Sequence, residues 1–286
     1  MRLRWLPALA AVAALGVAAA GCGGDDNGGG GGSAASSVVD KASSDKKLVI
    51  GIKYDQPGLG LKKPDGTYAG FDVEIAKIVA KALGVDESGI TFKETVSQNR
   101  ESFIQQGQVD LVVATYSITD KRKQKVSFAG PYFIAGQSLL VKQDNTDITG
   151  PESLNNNKKL CSVAGSTPAQ KIKDEYAKDV QLQEFPTYSK CVEALLGGQV
   201  DAVTTDDIIL AGFAAQYAGK LKVVGKTFST EKYGIGLKKD DKKGRDAINA
   251  ALEKAFADGS WKAALQSTIG PSGYPIPSTP PTLERY

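Results

Sequence analysis

"GQVDLVVAT", residues 107–115, is the stretch that decides the fold, because it recurs in looser form as "GQVDAVTTD" at residues 198–206. Each copy follows an apolar helical segment, "SFIQQ" before the first and "CVEALLG" before the second. Each copy contains a short apolar run of the kind found in buried strands. Two lobes built on the same plan would explain the repeat. The alternative is that Gly-x-x-Asp is a common turn from helix to strand, shared by two unrelated segments.

The segments around the first copy alternate between strand and helix patterns. "KKLVIGIKYDQPG" (46–58) is a β-branched run that ends in a loop signal. "DGTYAGFDVEIAKIVAKALG" (65–84) has apolar residues at helical spacing and a glycine stop. "GITFKET", "RESFIQQG" and "QVDLVVAT" continue the alternation. The pattern predicts α/β architecture with a mainly parallel sheet.

The second half of the chain supplies a second lobe and a return to the first. "SLLVKQD" (138–144) and "KKLCSVAGST" (158–167) are predicted to be the opening strands of the second lobe. "KYGIGLKKDD" (232–241) then leads into one long helix, "GRDAINAALEKAFADGSWKAAL", which returns to the first lobe. We expect crossings near Gln137 and near Lys232. Lobe 1 would comprise residues 46–137 and 233–286, and lobe 2 residues 138–232.

The N-terminus has the pattern of a processed export signal. Arg2 and Arg4 precede an apolar run, residues 6–20, that is short for a membrane span, so residues 1–21 are predicted to be a signal peptide. "AAAGC" resembles a bacterial lipobox, although alanine replaces the usual leucine, and it makes Cys22 the predicted lipidated first residue. Simple secretion with an ordinary Cys22 is the alternative. The glycine-rich stretch that follows predicts a flexible tether over residues 22–45.

Composition excludes several classes of function. The net charge is only +3, and acidic and basic residues are mixed throughout, so no nucleic-acid partner is expected. The absence of histidine removes Ser-His-Asp and Cys-His arrangements and the commonest zinc ligand sets. In an exported chain the remaining pair, Cys161 and Cys191, favours a disulfide over a metal site. A hydrolase function therefore loses most of its support, and no cofactor or metal is expected.

Two motifs resemble a known family. "GFDVEIAKIVAKAL" (70–83) matches the signature of the family 3 extracellular solute-binding proteins, which deliver polar amino acids to ABC importers, and "ITDKRKQKVSFAGPYF" (118–133) is similar to another segment of that family. "KYDQPGLG" and the cysteine pair are most similar to the glutamate-binding lipoproteins of actinobacteria. The resemblance spans residues 46 to about 269 and leaves the tail "PSGYPIPSTPPTLERY" without an assigned role. It implies a type II periplasmic-binding-protein fold: two lobes, each a mainly parallel sheet flanked by helices, joined by two hinge crossings.

The resemblance also implies residues that bind the α-carboxylate of an amino acid. Arg122 stands at the family's carboxylate-binding arginine, and its planar fork can hold both oxygens. Thr115 and Ser117 stand at two contact positions after the strand, and Thr167 at the turn that opens the next helix, where free backbone N–H groups favour an anion. Judged alone, these would be a solvated arginine, strand-end turn residues and a helix cap.

The α-ammonium group and the side chain of the ligand have their own predicted partners. Asp206 aligns with the aspartate that pairs with the ammonium; Asp207 is the neighbouring competitor, and a helix N-cap is the alternative role. Arg100 and Lys53 match basic residues near the distal carboxylate in binders of acidic amino acids, although Arg100 alone would be taken for a surface helix residue. Tyr188 is a further polar contact. Two cations without an acidic counterpart favour glutamate or aspartate over glutamine.

With this resemblance, the sequence predicts an extracytoplasmic, lipid-anchored, monomeric binding protein for glutamate or aspartate that is not an enzyme. Their amides are expected as further ligands and an ABC permease as partner. Two other functions fit the same fold. One is a sensor subunit that signals to a membrane partner. The other is a dehydratase, which would need an acid or base positioned beside a reacting carbon.

Overall fold

The structure is a computed structural model that describes residues 37–155, 157–176 and 179–285. The predicted signal peptide, Cys22 and the first part of the predicted tether lie outside the described residues. The α-helices are α1 Val38–Asp45, α2 Phe71–Ala82, α3 Arg100–Gln105, α4 Asp120–Lys123, α5 Thr167–Lys171, α6 Tyr188–Leu196, α7 Asp207–Gln216, α8 Lys242–Asp258 and α9 Ser260–Thr268. The strands are β1 Leu48–Ile52, β2 Asp55–Gln56, β3 Gly60–Lys62, β4 Tyr68–Ala69, β5 Ile90–Glu94, β6 Leu111–Val112, β7 Ser127–Ala135, β8 Gln137–Lys142, β9 Lys159–Val163, β10 Gln181–Phe185, β11 Ala202–Asp206, β12 Leu221–Val224 and β13 Glu231–Leu237.

The strands form two five-stranded sheets with the same topology. The first has the order β5-β1-β6-β13-β7 and the second the order β10-β9-β11-β8-β12. In each sheet the first three strands are parallel, and the last two pair antiparallel with their neighbours. A small antiparallel sheet, β2-β3-β4, lies between β1 and α2 along the chain. The predicted α/β fold with two sheets flanked by helices is confirmed.

The repeated nonamer has the same structural role in both sheets. Asp110 accepts a hydrogen bond from a backbone N–H of β1 at 2.8 Å, and Asp201 accepts one from a backbone N–H of β9 at 2.7 Å. The glycine that opens each copy, Gly107 or Gly198, has a positive φ, +67° or +73°. Such a turn is ordinary by itself, but it stands at equivalent places in two sheets of equal strand order. The two sheets are therefore built on one plan.

The chain passes between the sheets at two places. β7 ends at Ala135 in the first sheet and β8 begins at Gln137 in the second. β12 ends at Val224 in the second sheet and β13 begins at Glu231 in the first. These crossings lie near the two positions expected from the sequence.

The folded part begins earlier than the sequence indicated. Residues 38–45, assigned to the tether, form α1, whose N-terminal Ser37 side chain accepts a hydrogen bond from Val39 N–H. Val38 and Ala42 are buried, and the backbone N–H of Val38 donates to Asp241 at 2.9 Å. Only two strong apolar residues stand in this segment, so its helical structure depends on tertiary packing that composition does not reveal.

Two helix boundaries also differ from prediction. The single helix expected over residues 244–265 is two helices, α8 and α9, because Gly259 takes the left-handed conformation (φ +81°) that ends α8. The helix expected in residues 65–84 begins only at Phe71, since Tyr68 and Ala69 pair with β3. Both differences come from glycine or strand signals inside an otherwise helical pattern.

The predicted disulfide is present. Cys161 in β9 and Cys191 in α6 are bonded, with a Cα–Cα distance of 5.5 Å, and both residues are fully buried. The bond joins the helix that begins with Tyr188 to the second sheet. It braces one wall of the site described below.

Reduction of this disulfide should lower the melting temperature by roughly 10 °C, because a bond closing a loop of 30 residues contributes about 3 to 4 kcal/mol through the unfolded state. Ligand binding should survive, since neither cysteine lines the cavity. Thermal unfolding with and without reductant measures the change, and a double Cys161→Ala, Cys191→Ala variant is the matched control. Equal melting temperatures for oxidised and reduced protein would contradict the prediction.

The C-terminal tail, to which the sequence assigned no role, packs along the first sheet. Tyr274 donates a hydrogen bond to Asp207 at 2.9 Å and its ring lies 6.3 Å from that of Phe133. Glu284 pairs with Lys123 and Lys232. The tail therefore contacts α7, which packs against the second sheet, as well as elements of the first sheet.

Candidate functional site

A small closed cavity lies between the two halves of the fold. Its volume is only about 10 Å³, which is room for about one water molecule. Its lining comprises Ser97, Arg100, Thr115 and Ser117 before the first crossing, and Ser166, Thr167, Pro168, Tyr188, Thr205, Asp206 and Ile209 after it. An amino acid would fit between these residues only after the two walls of the cavity move apart.

Close backbone approaches show that the cleft is closed in this structure. A Cβ atom on Gly165 would lie 2.9 Å from Cα of Gln98. One on Gly212 would lie 2.3 Å from the carbonyl oxygen of Pro57. Both contacts join residues on opposite sides of the cleft, and only glycine permits them.

The structure brings together six of the eight residues that the sequence predicted for the ligand. These are Arg100, Thr115, Ser117, Thr167, Tyr188 and Asp206, which all line the cavity. Arg122 lies beside it in a larger open cleft that shares Ser97, Ser166 and Thr167 with the cavity. Lys53 does not line the cavity; it lies behind Ser97, which does.

Arg100 is a buried cation with incomplete hydrogen bonding. Its Nη1 donates to the carbonyl oxygens of Ala114 (3.1 Å) and Thr115 (3.2 Å), while its Nε has no partner among the described residues. Burial, followed by repulsion from Arg122, lowers the pKa of Arg100 to about 10. An anion entering the cavity could accept a hydrogen bond from Nε of Arg100, and its charge would offset the cost of burying the guanidinium group.

Arg122 connects the two sides of the cleft. Its Nη1 donates to the Ser117 carbonyl at 2.8 Å and its Nη2 to the Gly165 carbonyl at 3.1 Å. Its Nε lies 3.3 Å from a carboxylate oxygen of Glu101. It is 7% exposed, so the alternative of a solvated surface arginine is wrong. Its guanidinium group is adjacent to the cavity, because it is hydrogen-bonded to Ser117 and Ser117 lines the cavity.

Lys53 is held behind the cavity wall. Its Nζ donates to Ser97 Oγ at 2.8 Å, and Ser97 lines the cavity. Burial and the nearby Arg100 charge lower the pKa of Lys53 well below its ordinary value. Within the described part of the chain, neither Lys53 nor Arg100 has a carboxylate partner at ion-pair distance. The cleft thus contains two buried basic groups without a direct ion pair, although the buried carboxylate of Asp72 attracts both from a greater distance.

Asp206 is the acidic residue on the other wall of the cavity. Its Oδ2 accepts a short hydrogen bond from the Tyr233 hydroxyl at 2.6 Å, and its Oδ1 is buried without a partner among the described residues. Burial, and then repulsion from Glu231, raise the pKa of Asp206 to about 8. Its side chain does not cap α7, although Asp206 occupies the N-cap position. Oδ1 of Asp206 is therefore available to accept a hydrogen bond from a donor group of a ligand.

The neighbouring Asp207 is not part of the cavity. Its Oδ1 accepts hydrogen bonds from the backbone N–H groups of Gly136 (3.2 Å) and Ile208 (2.8 Å). Its Oδ2 accepts the hydrogen bond from Tyr274. Of the two adjacent aspartates in "TTDD", only Asp206 has a carboxylate oxygen available to a ligand.

The hydroxyl groups of the site meet across the cleft. Ser117 Oγ lies 3.4 Å from Thr167 Oγ1, and Thr167 Oγ1 donates to Glu231 at 2.9 Å. Tyr188 begins α6, and burial, followed by the nearby Asp206, raises the pKa of its hydroxyl to about 12. These neutral groups can exchange hydrogen bonds with a polar ligand without adding charge.

Sequence reasoning missed a buried support for the site. Asp72, inside the signature helix α2, accepts hydrogen bonds from the backbone N–H of Thr115 (2.9 Å) and the hydroxyl of Tyr132 (2.7 Å). Thr115 has a φ of +44°, an uncommon conformation for a residue with a side chain. The carboxylate fixes this conformation. An acidic residue on the buried face of an amphipathic helix was the available signal.

Several other residues line the cavity beside predicted ones but were not themselves predicted. Thr205 precedes Asp206 at the end of β11, and Ser166 precedes Thr167 at the start of α5. Ser97 stands three residues before Arg100. Nothing in the sequence marked Ile209, whose side chain contributes apolar surface.

The described residues contain no cluster of histidine, cysteine or acidic side chains suited to a metal ion. Within that same part of the chain, every helix is too short or too polar to cross a lipid bilayer.

The sequence also matches a known protein family. Residues 48–271 match the model of the bacterial extracellular solute-binding proteins, family 3. The chain belongs to this family. Proteins of the family act outside the cytoplasm as receptors for solutes, in accord with the closed cavity between two sheets.

Named members of the family resemble the chain over most of its length. The glutamate-binding protein GluB of Corynebacterium glutamicum is 51% identical over 230 residues, covering 77% of this chain and 78% of that protein. The glutamine-binding protein GlnH of Bacillus subtilis is 41% identical over 224 residues, covering 78% and 81%. A solved structure of an ancestral arginine-binding protein bound to glutamine is 34% identical, with a TM-score of 0.72 and coverage of 79% and 98%. The chain is thus a solute-binding protein for amino acids with the type II periplasmic fold.

Proposed function

We propose that the protein captures glutamate, and secondarily aspartate, between the two walls of this cavity, which part to admit the ligand, and presents it to an ABC permease. One observation carries the choice of ligand. The buried Arg100 and Asp206 each have an unpartnered polar atom, Nε and Oδ1, and both residues line the same cavity. An α-amino acid with a second carboxylate supplies what both lack. Its ammonium group pairs with Asp206, and its distal carboxylate with Arg100.

The α-carboxylate has its own place beside Arg122. The two carbonyl acceptors of Arg122 belong to opposite sides of the cleft, so an entering carboxylate would replace them as a bidentate partner. Ser117 and Thr167 offer hydroxyl groups to the same end of the ligand. In the first turn of α5 the backbone N–H of Thr167 is left for the ligand, since Pro168 has no N–H and that of Ala169 is donated to Ser166. Thr115 and Tyr188 complete the polar wall.

Charge balance favours an acidic ligand over a neutral one. Lys53, Arg100 and Arg122 lie close enough for their charges to affect one another. Of these three, in the described part of the chain, only Arg122 has a carboxylate at ion-pair distance, that of Glu101, while Asp72 attracts Lys53 and Arg100 from further away. Burying charge without compensation is costly. The second carboxylate of glutamate compensates it, whereas the amide of glutamine does not. The identity to a glutamate-binding protein agrees with this reasoning.

Binding is proposed to act through lobe closure. Residues 46–137 and 233–286 would move as one lobe and residues 138–232 as the other, turning about the crossings near Gln137 and Lys232. Because the ligand touches both lobes, it binds the closed form more tightly and shifts the population toward it. The permease then recognises the closed form.

The protein is also proposed to be tethered to the outer face of the membrane through lipid on Cys22, which the "AAAGC" motif supports. Fractionation of cells that express wild type or Cys22→Ser tests the anchor. The wild type should sediment with membranes and the variant should be released. Equal release of both would count against lipidation.

Isothermal titration of the protein, refolded free of carried-over ligand, tests the choice of ligand against glutamate, aspartate, glutamine and arginine. Glutamate should bind most tightly. Glutarate is the matched control, because it keeps both carboxylates and lacks the ammonium group that Asp206 requires. Tighter binding of arginine, or of glutarate than glutamate, would refute the proposed ligand orientation.

A further inference from the structure

We propose that Tyr116 is a specificity-determining positioning residue, whose ring sets the placement of both arginines in the binding cleft. The inference rests on the proposed function, because it assigns the two guanidinium groups to two carboxylates of one ligand. The ring itself lies outside the cavity lining, so Tyr116 acts through the arginines.

The ring contacts both cations. The guanidinium carbon of Arg100 lies 4.2 Å from the Tyr116 ring centroid, and that of Arg122 lies 5.0 Å from it. Both distances fall within the range of cation–π attraction, about 6 Å. The ring is fully buried, and such contacts are stronger when they are desolvated. The Tyr116 ring thus attracts both guanidinium groups, although these two positive charges repel each other.

The backbone on either side of Tyr116 strengthens this arrangement. The carbonyl of Thr115 accepts from Arg100 at 3.2 Å, and the carbonyl of Ser117 accepts from Arg122 at 2.8 Å. Thr115 therefore contacts Arg100 through its carbonyl, Ser117 contacts Arg122 through its carbonyl, and Tyr116 between them contacts both arginines through its ring. This tripeptide sets the separation of the two cations together with the outer contacts of Arg100 to Ala114 and of Arg122 to Gly165 and Glu101.

The ring is itself held in place. It packs against Phe128 with a centroid distance of 4.7 Å in an edge-to-face geometry. A Cβ atom on Gly236 of β13 would lie 2.8 Å from a Tyr116 ring carbon, so the glycine leaves the space that the ring fills. The hydroxyl makes no hydrogen bond of ordinary geometry among the described residues, but the carboxylate of Glu101, which pairs with Arg122, lies close enough to interact with it. The Tyr116→Phe variant described below therefore separates the role of the ring from that of the hydroxyl.

The consequence concerns ligand selection. Glutamate uses both guanidinium groups, one for each carboxylate, and their separation must match the ligand. Glutamine uses only the α-carboxylate site at Arg122. Loss of the ring should therefore weaken glutamate binding more than glutamine binding, whereas a general loss of stability would weaken both equally.

The test is isothermal titration of glutamate and glutamine with wild type, Tyr116→Phe, Tyr116→Leu and Tyr116→Met. Tyr116→Leu should weaken glutamate binding by at least about ten-fold and reduce the glutamate-to-glutamine preference by about three-fold or more. Tyr116→Phe should restore wild-type values. Tyr116→Met fills more of the vacated space and gives the same readout if the leucine variant does not fold. Phe71→Leu is the control, since it removes another fully buried ring, one whose neighbours are Tyr132, Phe133 and Trp261.

The outcomes separate this inference from the proposed function. If wild type prefers glutamate but the ring-deleted variants keep the same preference, the role of Tyr116 is refuted and the ligand assignment stands. If Tyr116→Phe behaves like Tyr116→Leu, the hydroxyl and not the ring is responsible, and the inference is wrong. If wild type itself does not bind glutamate, the proposed function fails first.

Discussion

Asp206→Asn should weaken glutamate binding by at least about thirty-fold, because removing one partner of a buried charge pair costs roughly 2 kcal/mol or more. The variant keeps the shape and the hydrogen bond to Tyr233 but cannot balance the ligand ammonium. Titration of glutamate into both proteins measures the change. Asp207→Asn is the matched control: its carboxylate is directed to Gly136 and Tyr274, so its affinity should stay within about three-fold of wild type. Equal losses in the two variants would contradict the assignment.

The same residue should couple binding to proton release. The pKa of Asp206 is about 8 in the unliganded protein, so the carboxyl is mostly protonated at pH 7, and pairing with an ammonium group requires its ionised form. Glutamate affinity should rise with pH up to about 8 and then level off. Titration in buffers of different ionisation enthalpy counts the released proton. Wild type and Asp207→Asn should release it near pH 7, whereas Asp206→Asn should not.

The sign of the stability effect follows from the same shift. An aspartate in the unfolded chain has a pKa near 4, below the value of about 8 in the folded protein. Ionisation of Asp206 therefore opposes folding of the unliganded protein as pH rises from about 4 to about 8. Bound ligand removes this loss, so the increase in melting temperature caused by glutamate should be larger at pH 8 than at pH 5.

Arg100→Ala should selectively weaken the binding of acidic ligands. Glutamate affinity should fall by at least about ten-fold, since a buried hydrogen-bonded charge is lost, while glutamine affinity should change by only about three-fold. The preference for glutamate would largely disappear. Titrations of both ligands measure the ratio. Arg285→Ala, which removes an exposed arginine paired with Glu253, is the control and should leave the ratio unchanged.

A uniform loss for glutamate and glutamine in Arg100→Ala would show that Arg100 does not contact the distal carboxylate. A wild-type ratio in the variant would leave Lys53, behind Ser97, as the remaining cation for that group. Either result would revise the side-chain end of the pocket without affecting Asp206 or Arg122.

The fold was predictable from local patterns because periodicity and repetition agreed. The nonamers at 107–115 and 198–206 each mark a strand entry, and the same topology follows in both sheets. α1 was not predictable, because Val38 and Ala42 are stabilised by a contact with residues about two hundred positions away. The end of α8 at Gly259 was not predicted, because helical residues continue on both sides of it, although glycine is the usual residue at such an end.

The site was only partly predictable. Residue types at strand ends and helix starts, such as Asp206 and Thr167, follow from the family motif. The support network could not be predicted, since the contacts from Asp72 to Thr115 and from Tyr116 to two arginines depend on which side chains meet in the core. Asp206 and Asp207 are adjacent and chemically identical, and only the structure separates their partners.

A crystal structure of the protein with glutamate tests the central claim most directly. The account predicts one glutamate in the cavity, with its ammonium group on Asp206 Oδ1, its α-carboxylate on Arg122 and its distal carboxylate near Arg100 and Lys53. Glutamate bound in the reverse orientation, or only in the open cleft outside Ser117 and Thr167, would contradict it.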